Sequence, residues 1–263
     1  MRFGISNLVL PVLTEVTRNR LCLSAPICDF APTAFYESWT NVPAVLPSKP
    51  YGPSGPTIVA LQSLFFRLPD VSLVREESSF TRLLEHFERL TSIAAASGIR
   101  ILIFGSPATR TGKSAALTAR ALLDRVFTLA DCAAARELTL CFEVNSKRFG
   151  CEYLVSTVEL LDLLHTAQHS GLGLHLDVGQ MLEEGVDVVR LLPTTSRELL
   201  HLHLSAPDFT CRPDLLPEYR KIVRALKDNG SEADVVLEVQ KLGNATEYDL
   251  VHMCEALAEE TGR

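Results

Sequence analysis

The stretch LGLHLDVG, residues 172–179, decides the fold, because apolar and polar side chains alternate along it. Its even positions are leucine or valine, whereas its odd positions are Gly173, His175, Asp177 and Gly179. A β-strand turns successive side chains to opposite faces, so this segment has one apolar face and one largely polar face. The same alternation recurs in residues 138–145, 200–205 and 235–240. Helix-length gaps separate these runs, which predicts parallel strands that turn polar side chains towards a common interior.

Each of the four polar faces carries a residue of a metal-binding type: Glu143, Asp177, His203 and Glu238. Their separations of 34, 26 and 35 residues each match about one strand–helix unit, so we expect them at the carboxyl ends of adjacent strands. Neighbouring strands lie about 4.8 Å apart, so four such side chains can share one ion. Three carboxylates and one imidazole suit Mn²⁺, Mg²⁺, Co²⁺ or Zn²⁺. A single carboxylate at a strand end is usually a helix cap or an ion-pair partner, but three carboxylates and a histidine at four consecutive strand ends favour a metal site.

Two further histidines, His175 and His201, also lie at inward-facing positions of the predicted strands. They stand two residues before Asp177 and His203, and thus one pleat deeper in the barrel. We interpret them first as hydrogen-bonded core histidines. The functional alternative is a hydrogen bond from either ring to Asp177 or His203, which would orient a metal ligand.

The whole chain can be divided into eight strand–helix units. The remaining predicted strands are 2–8, 27–31, 57–64 and 101–104; the predicted helices are a short one before Arg20, then 79–97, 112–136, 154–169, 181–192, 215–229 and 246–260. Prolines in residues 32–56 exclude a long second helix there. We therefore predict the α/β class and a (β/α)8 TIM barrel forming a single domain over residues 1–263, with the second helix short or replaced by a proline-rich loop. An open doubly wound sheet is the alternative, but it rarely places polar residues along successive strand interiors.

Composition narrows the function classes. The formal net charge of −7 argues against a long nucleic-acid footprint, which needs a basic surface. Seven cysteines without a CxxC pair indicate reduced thiols rather than a disulfide framework. No apolar stretch reaches the length of a membrane span, and the N-terminus lacks the features of a signal peptide. We expect a cytoplasmic protein without a membrane or nucleic-acid partner.

Taken together, short motifs along most of the chain resemble the sugar isomerase/epimerase branch of the xylose isomerase-like TIM barrels, which also contains DNA repair enzymes of the endonuclease IV type. These motifs are FGISNL (3–8), APT (31–33) with Trp39, LQS (61–63), FGSP (104–107) with Arg110, FGC (149–151) and HLHLS (201–205). Each motif is weak by itself, whereas their order and spacing are specific for this branch.

The resemblance implies roles for the four predicted metal ligands. In the ketose 3-epimerases of this branch such a quartet holds a divalent ion, and its two glutamates, here Glu143 and Glu238, form the acid/base pair. Asp177 and His203 would then be ligands only. The implied reaction is proton abstraction beside a carbonyl through a metal-stabilised enediolate. One departure is Gln180, where the family usually has a histidine; glutamine can bond a hydroxyl but cannot carry a proton.

The repair-enzyme chemistry of the same superfamily is disfavoured. Those nucleases need further histidine and glutamate ligands for a trinuclear zinc cluster, but the first histidine here is His86, inside a predicted helix. Residues 105–114 approach a phosphate-binding loop, yet Pro107 occupies the position that requires glycine. We therefore do not predict nucleotide binding by this loop.

Substrate contacts are predicted from residues in the loops after the strands. Arg110 is a candidate for a phosphate, a carboxylate or a sugar oxygen, with a surface arginine as the alternative. Arg212 and Arg148 are weaker candidates of the same kind. Gln180 and Glu152 are candidates for substrate hydroxyls, although Glu152 is interpreted first as a helix cap.

Two aromatic residues of the proline-rich segment, Trp39 and Phe35, could cover the mouth of the barrel or anchor the loop by packing. The sequence does not separate these alternatives.

We conclude from the sequence that the chain is a metal-dependent isomerase or epimerase of a sugar or sugar phosphate, in carbohydrate metabolism, with one divalent ion such as manganese. A dehydratase or lyase acting on a polyol or keto acid is the first alternative, because it uses the same proton abstraction. A non-catalytic sugar-binding barrel is the second. A homo-oligomer remains open.

Overall fold

Eight parallel strands close into a barrel, in chain order, in the computed structural model, which describes residues 1–262. The strands are Arg2–Ser6 (β1), Ile27–Phe30 (β2), Thr57–Leu61 (β3), Ile101–Phe104 (β4), Thr139–Phe142 (β5), Leu172–Asp177 (β6), Leu199–Ser205 (β7) and Asp234–Glu238 (β8). β8 pairs with β1 and completes the cylinder. The predicted (β/α)8 barrel is confirmed, and the open sheet is excluded.

Helices cover the outside of the barrel. They are Glu15–Ser24 (α1), Pro32–Tyr36 (α2), Glu77–Ala96 (α3), Ala119–Ala134 (α4), Thr157–Ala167 (α5), Val178–Glu184 (α6), Val188–Thr195 (α7), Leu216–Asp228 (α8) and Glu247–Thr261 (α9). The strands are buried on both faces, since their apolar side chains pack under these helices and their other side chains fill the interior. Polar residues on the inner face are therefore held in a closed, water-poor space.

The second helix is short, as the prolines predict. α2 has five residues and begins at Pro32, where the absent N–H costs nothing because a first-turn N–H has no partner within the helix. A long irregular stretch then leads to β3. Trp39 anchors it: the side chain is 6% exposed and its Nε1 donates to the Phe66 carbonyl at 2.7 Å.

Two helix predictions are wrong in extent. Residues 181–192 were predicted as one helix but form parts of α6 and α7, because Gly185 adopts a left-handed φ of 71° that ends α6. Asp187 then caps α7 by accepting the Arg190 N–H at 3.1 Å. α4 begins after Thr118 rather than at Gly112, since the Thr118 hydroxyl caps it through the Ala121 N–H at 3.1 Å. Residues 112–117 belong to the loop above β4.

Strand register brings the predicted ligands to one end of the barrel. Asp177 pairs in register with His203 between β6 and β7, and Ser205 pairs with Glu238 between β7 and β8. Glu143 directly follows β5. All seven cysteines are free thiols. Within residues 1–262, no helix has both the length and the hydropathy that crossing a bilayer requires.

Candidate metal centre

The four predicted ligands meet around one imidazole nitrogen. His203 Nδ1 lies 3.3 Å from Glu238 Oε2, 3.5 Å from Glu143 Oε2 and 3.8 Å from Asp177 Oδ2. All four residues are buried. Donor atoms of Glu143, His203 and Glu238 lie within 4.8 Å of one another, a spacing at which one ion can contact all three. Asp177 is the outer member of the group.

The donor atoms themselves indicate what is needed between them. His203 Nδ1 and Glu238 Oε2 are buried and have no hydrogen-bond partner among residues 1–262. Buried polar atoms normally have hydrogen-bond partners. Two possible ligand atoms that lack such partners and lie 3.3 Å apart are therefore consistent with a bound cation. Imidazole nitrogen and carboxylate oxygen together suit the borderline and harder divalent ions.

Asp29 of β2 orients the central histidine, and the sequence analysis did not select it. Its Oδ2 lies 2.7 Å from His203 Nε2, and its Oδ1 lies 3.1 Å from His201 Nε2. A carboxylate that accepts the Nε2 proton fixes the tautomer in which Nδ1 presents a lone pair. Alternation gave no signal for Asp29, because all four residues of β2 are buried and the pairing of β2 with β3 shifts register between Cys28 and Asp29.

His175 and His201 extend this network beneath the donors. Their Nδ1 atoms lie 3.1 Å apart, and His175 Nε2 is 3.7 Å from Glu143 Oε2. The functional alternative for these two rings was a hydrogen bond to Asp177 or His203. Instead, His175 and His201 bond each other, and His201 also bonds Asp29. The hydrogen-bonded connection to His203 therefore runs through the Asp29 carboxylate.

Asp177 is a helix cap, which was the alternative interpretation of this residue, and it also lies beside the cluster. Its Oδ1 accepts the Gln180 N–H at 2.7 Å and so caps α6, while its Oδ2 accepts the Ser205 hydroxyl at 2.6 Å. The Gln180 side chain accepts the Ser146 N–H at 2.7 Å and is 7% exposed. Gln180 therefore ties α6 to the loop after β5.

Burial and crowding shift the charges of the cluster. Burial, together with the charges of Glu143 and Glu238, raises the pKa of Asp177 to about 7. Burial opposes charge on His203, but the Glu238 carboxylate and the bond to Asp29 raise its pKa well above the usual value. Burial disfavours the Glu143 anion too, yet contact with His175 and His203 holds its pKa below the usual range. Without a cation, the cluster keeps protons at neutral pH.

A cavity of about 530 Å³ opens onto this cluster. Glu143 and Glu238 line its inner end, and residues from the loops after β3 and β4 form most of its walls. Four phenylalanines give it a largely apolar surface: Phe65, Phe66, Phe149 and Phe209. The cavity size fits a small molecule, which the donors would contact at its closed end.

Arg110 lies under the cluster instead of on the cavity wall. Its side chain is fully buried, and its guanidinium donates to the Gly105 carbonyl and to Asn145 Oδ1. Asn145 Nδ2 in turn donates to Glu143 Oε1 at 2.8 Å. The same guanidinium reaches the carbonyls of Tyr153 and Leu154, each at 3.4 Å. Arg110 is thus neither on the surface nor in contact with the cavity, and it positions Glu143 through Asn145.

The other substrate candidates lie away from the cluster. Glu152 accepts the N–H groups of Gly112 and Lys113 at 3.0 and 2.9 Å, so it joins two loops and caps no helix. Arg212 is 44% exposed and pairs with Asp214 at 2.6 Å.

Arg148 pairs with Glu183 at 3.1 Å and lies over the Phe149 ring. Phe35 packs on Tyr51 in the proline-rich segment, with ring centroids 5.4 Å apart. The packing interpretation of Phe35 and Trp39 therefore fits their placement.

The fold and this cluster define a (β/α)8 barrel with a candidate metal centre at the carboxyl ends of its strands. The chain belongs to the xylose isomerase-like TIM barrel family, whose model matches residues 55–257. This confirms the resemblance found in the sequence. No curated protein matches the sequence.

Solved structures share the fold at low sequence identity. D-psicose 3-epimerase, solved in the presence of D-fructose, superimposes with a TM-score of 0.72 at 16% identity, covering 98% of each chain. AP endonuclease, family 2, from Brucella melitensis gives 0.68 at 16% identity, covering 95% of this chain and 96% of that one. The IOLI protein with a zinc atom gives 0.64 at 12% identity, covering 99% and 98%. Similarity at this level shows the fold alone.

Replacing Arg110 with leucine is expected to lower the free energy of unfolding by about 2–4 kcal/mol, because it leaves several buried acceptors without a donor. Urea unfolding followed by circular dichroism measures this change. The control is Arg212→Leu at an exposed position, expected within about 0.5 kcal/mol of the parent. Equal stability of the two variants would contradict the structural role of Arg110.

Proposed function

We propose that this protein is a divalent-metal-dependent isomerase or epimerase of a sugar or sugar phosphate. One observation carries the proposal: the Glu143 and Glu238 carboxylates both approach His203 Nδ1, at 3.5 and 3.3 Å, and both line the same cavity. Two carboxylates facing one cavity supply a base and an acid for moving a proton beside a carbonyl.

The residues that would hold the ion are Glu143, His203 and Glu238, with Asp177 at the edge of the set. A bound divalent ion would polarise the carbonyl and acidify the neighbouring C–H bond. Mn²⁺, Mg²⁺, Co²⁺ and Zn²⁺ all accept this mixture of oxygen and nitrogen donors. The zinc of the IOLI protein supports a divalent ion on this fold.

The chain's own residues organise the proton transfer. Asn145 donates to Glu143 Oε1 and so fixes the direction of that carboxylate. Gly105 permits the approach, because a Cβ atom at this position would lie 2.6 Å from Glu143 Oε1. The phenylalanines of the cavity wall exclude water from the two carboxylates, which strengthens their charge interactions with a ligand.

A metal-dependent dehydratase or lyase is the second candidate, since the same pair could remove a proton and protonate a leaving hydroxyl. Nuclease chemistry, the activity named for the structurally similar AP endonuclease, has less support. The protein carries a net charge of −7, and His86 lies apart from the cluster with its Nε2 3.0 Å from the Leu64 carbonyl. A phosphodiester backbone needs a basic footprint that this composition disfavours.

The defining experiment is turnover of a panel of ketoses and ketose phosphates in D₂O with each divalent ion. We expect deuterium in the product, detected by NMR, because the abstracted proton exchanges with solvent at the glutamate. A dehydratase would instead release a product lighter by one water. Absence of both reactions across the panel would contradict the proposal.

Glu143→Gln and Glu238→Gln are each expected to lower kcat at least about 100-fold, because an amide cannot accept the proton. Circular dichroism should show both variants folded. Glu152→Gln is the matched control: its carboxylate bonds only backbone N–H groups of a loop, and its kcat should stay within about twofold. Parent-like turnover by either variant of the pair would remove that residue from the mechanism.

Asp29→Asn is expected to weaken divalent-ion affinity about 10- to 100-fold, because the His203 ring loses the carboxylate that holds its Nε2 proton. Competition with a chromophoric chelator measures the affinity without any substrate. Asp214→Asn, at an exposed ion pair, serves as control and should bind as the parent does. Unchanged affinity in Asp29→Asn would show that His203 needs no such partner.

Ion affinity is expected to rise with pH. The pKa of Asp177 is raised to about 7 and that of His203 lies above its usual value, so both hold protons that a cation must displace. Apparent affinity should therefore fall about tenfold per pH unit and per displaced proton as the pH is lowered below neutrality. Calorimetric titration between pH 5.5 and 8 in two buffers measures the protons released. A pH-independent affinity would contradict this charge assignment.

A further inference from the structure

We propose that the cavity takes a substrate with an acidic group, a phosphate or a carboxylate, which Arg75 and Ser106 bind on the wall formed by the loops after β3 and β4. This inference rests on the proposed function and narrows its substrate class. Both residues line the same cavity as Glu143 and Glu238.

Arg75 has a guanidinium that the protein leaves unpaired. Its Nε is buried and has no hydrogen-bond partner within residues 1–262. The two acidic residues that follow it are engaged elsewhere: Glu77 pairs with Arg125 at 2.8 Å, and Glu76 accepts the Ser79 hydroxyl. Arginine donors are rarely left unpaired in a half-buried position, so an anion supplied by a ligand fits here.

Loop contacts hold Arg75 in place. The Arg75 carbonyl accepts from Arg125 Nη1 at 2.7 Å, and a Cβ atom at Gly112 would lie 3.7 Å from Arg75 Cδ. Glu152, from the loop after β5, is already bonded to the N–H groups of Gly112 and Lys113. The guanidinium is therefore fixed at its base and free at its donor end.

Ser106 supplies a second unpaired donor on the same wall. Its Oγ is buried without a partner, and its backbone has a positive φ of 27°, an unfavourable conformation for serine. Ser106 follows Gly105, whose backbone lies against the Glu143 carboxylate. The hydroxyl is thus held beside the reaction centre, and it can donate to an anionic or hydroxyl oxygen of a ligand.

The rest of the cavity agrees with a phosphorylated or carboxylated sugar. Four phenylalanines line the cavity, and their rings suit the C–H faces of a carbohydrate. Arg67 and Asp70, both exposed, line the cavity as well, and the Arg67 guanidinium donates to the Glu37 carbonyl at 2.8 Å. A neutral ketose could accept a hydrogen bond from Arg75 Nε, but it would leave the charge of the guanidinium without a counter-ion.

The test is calorimetric binding to the Glu143→Gln protein, so that it does not depend on turnover. The probes are D-fructose, D-fructose 6-phosphate and D-glucuronate, which separate a neutral sugar, a phosphate and a carboxylate. We expect at least one anionic probe to bind about tenfold or more tightly than D-fructose. Equal or weaker binding of both anionic probes would overturn the proposal.

Variants then locate the anion. Arg75→Met keeps the packed stem and should reduce binding of the preferred anionic probe at least tenfold, with D-fructose binding unchanged; Ser106→Ala should reduce it severalfold. Arg212→Met, whose guanidinium is paired with Asp214 outside the cavity, should bind as its parent does. Equal behaviour of Arg75→Met and Arg212→Met would overturn the assignment. A preference for an anionic probe, together with no turnover of the ketose panel by the parent protein, would support this inference and contradict the proposed reaction.

Discussion

The orientation of a single imidazole ring organises the open end of this barrel. His203 is bonded to Asp29 through Nε2, so its Nδ1 is directed at Glu143, Asp177 and Glu238. Three buried carboxylates at this spacing repel one another, and protons or a cation must compensate their charge. The raised pKa values of Asp177 and His203 express that compensation.

The same ring connects distant parts of the chain. Asp29 lies in β2, whereas the groups around Nδ1 come from β5 to β8 and their carboxyl ends. Beneath the donors, His175 and His201 fill the interior at a level where a barrel usually holds branched apolar side chains. The polar network therefore replaces part of the core, and its stability depends on complete pairing.

Sequence periodicity was sufficient to predict the barrel and the proximity of Glu143, Asp177, His203 and Glu238 at one end of it. A period of two residues determines which side chains point inward, and the spacing of about one strand–helix unit places Glu143, Asp177 and Glu238 on neighbouring strands. Both signals are local, so they can be read without knowing the tertiary contacts. The break at Gly185 was missed because glycine within a helical pattern is also tolerated without ending the helix.

Contacts between distant loops could not be predicted in this way. Asp29 meets partners more than 170 residues away, and one acidic residue in a short apolar run carries no spacing signal. Arg110 follows a strand as a ligand-binding arginine would, yet its guanidinium turns inward to Asn145. The role of Arg75 depends on which neighbouring carboxylates are already engaged, which only side-chain geometry reveals.

The cavity draws its two ends from different halves of the chain. The residues of the cluster lie in or directly after strands of the second half, whereas residues 62–75 and 105–109 build most of the surrounding wall. Mutations in those two loops can therefore alter what enters the cavity while leaving the donor cluster intact. Sequence changes in these loops can thus alter ligand specificity without changing the cluster. The loop after β3 is therefore the segment to exchange between homologues when a different ligand specificity is wanted.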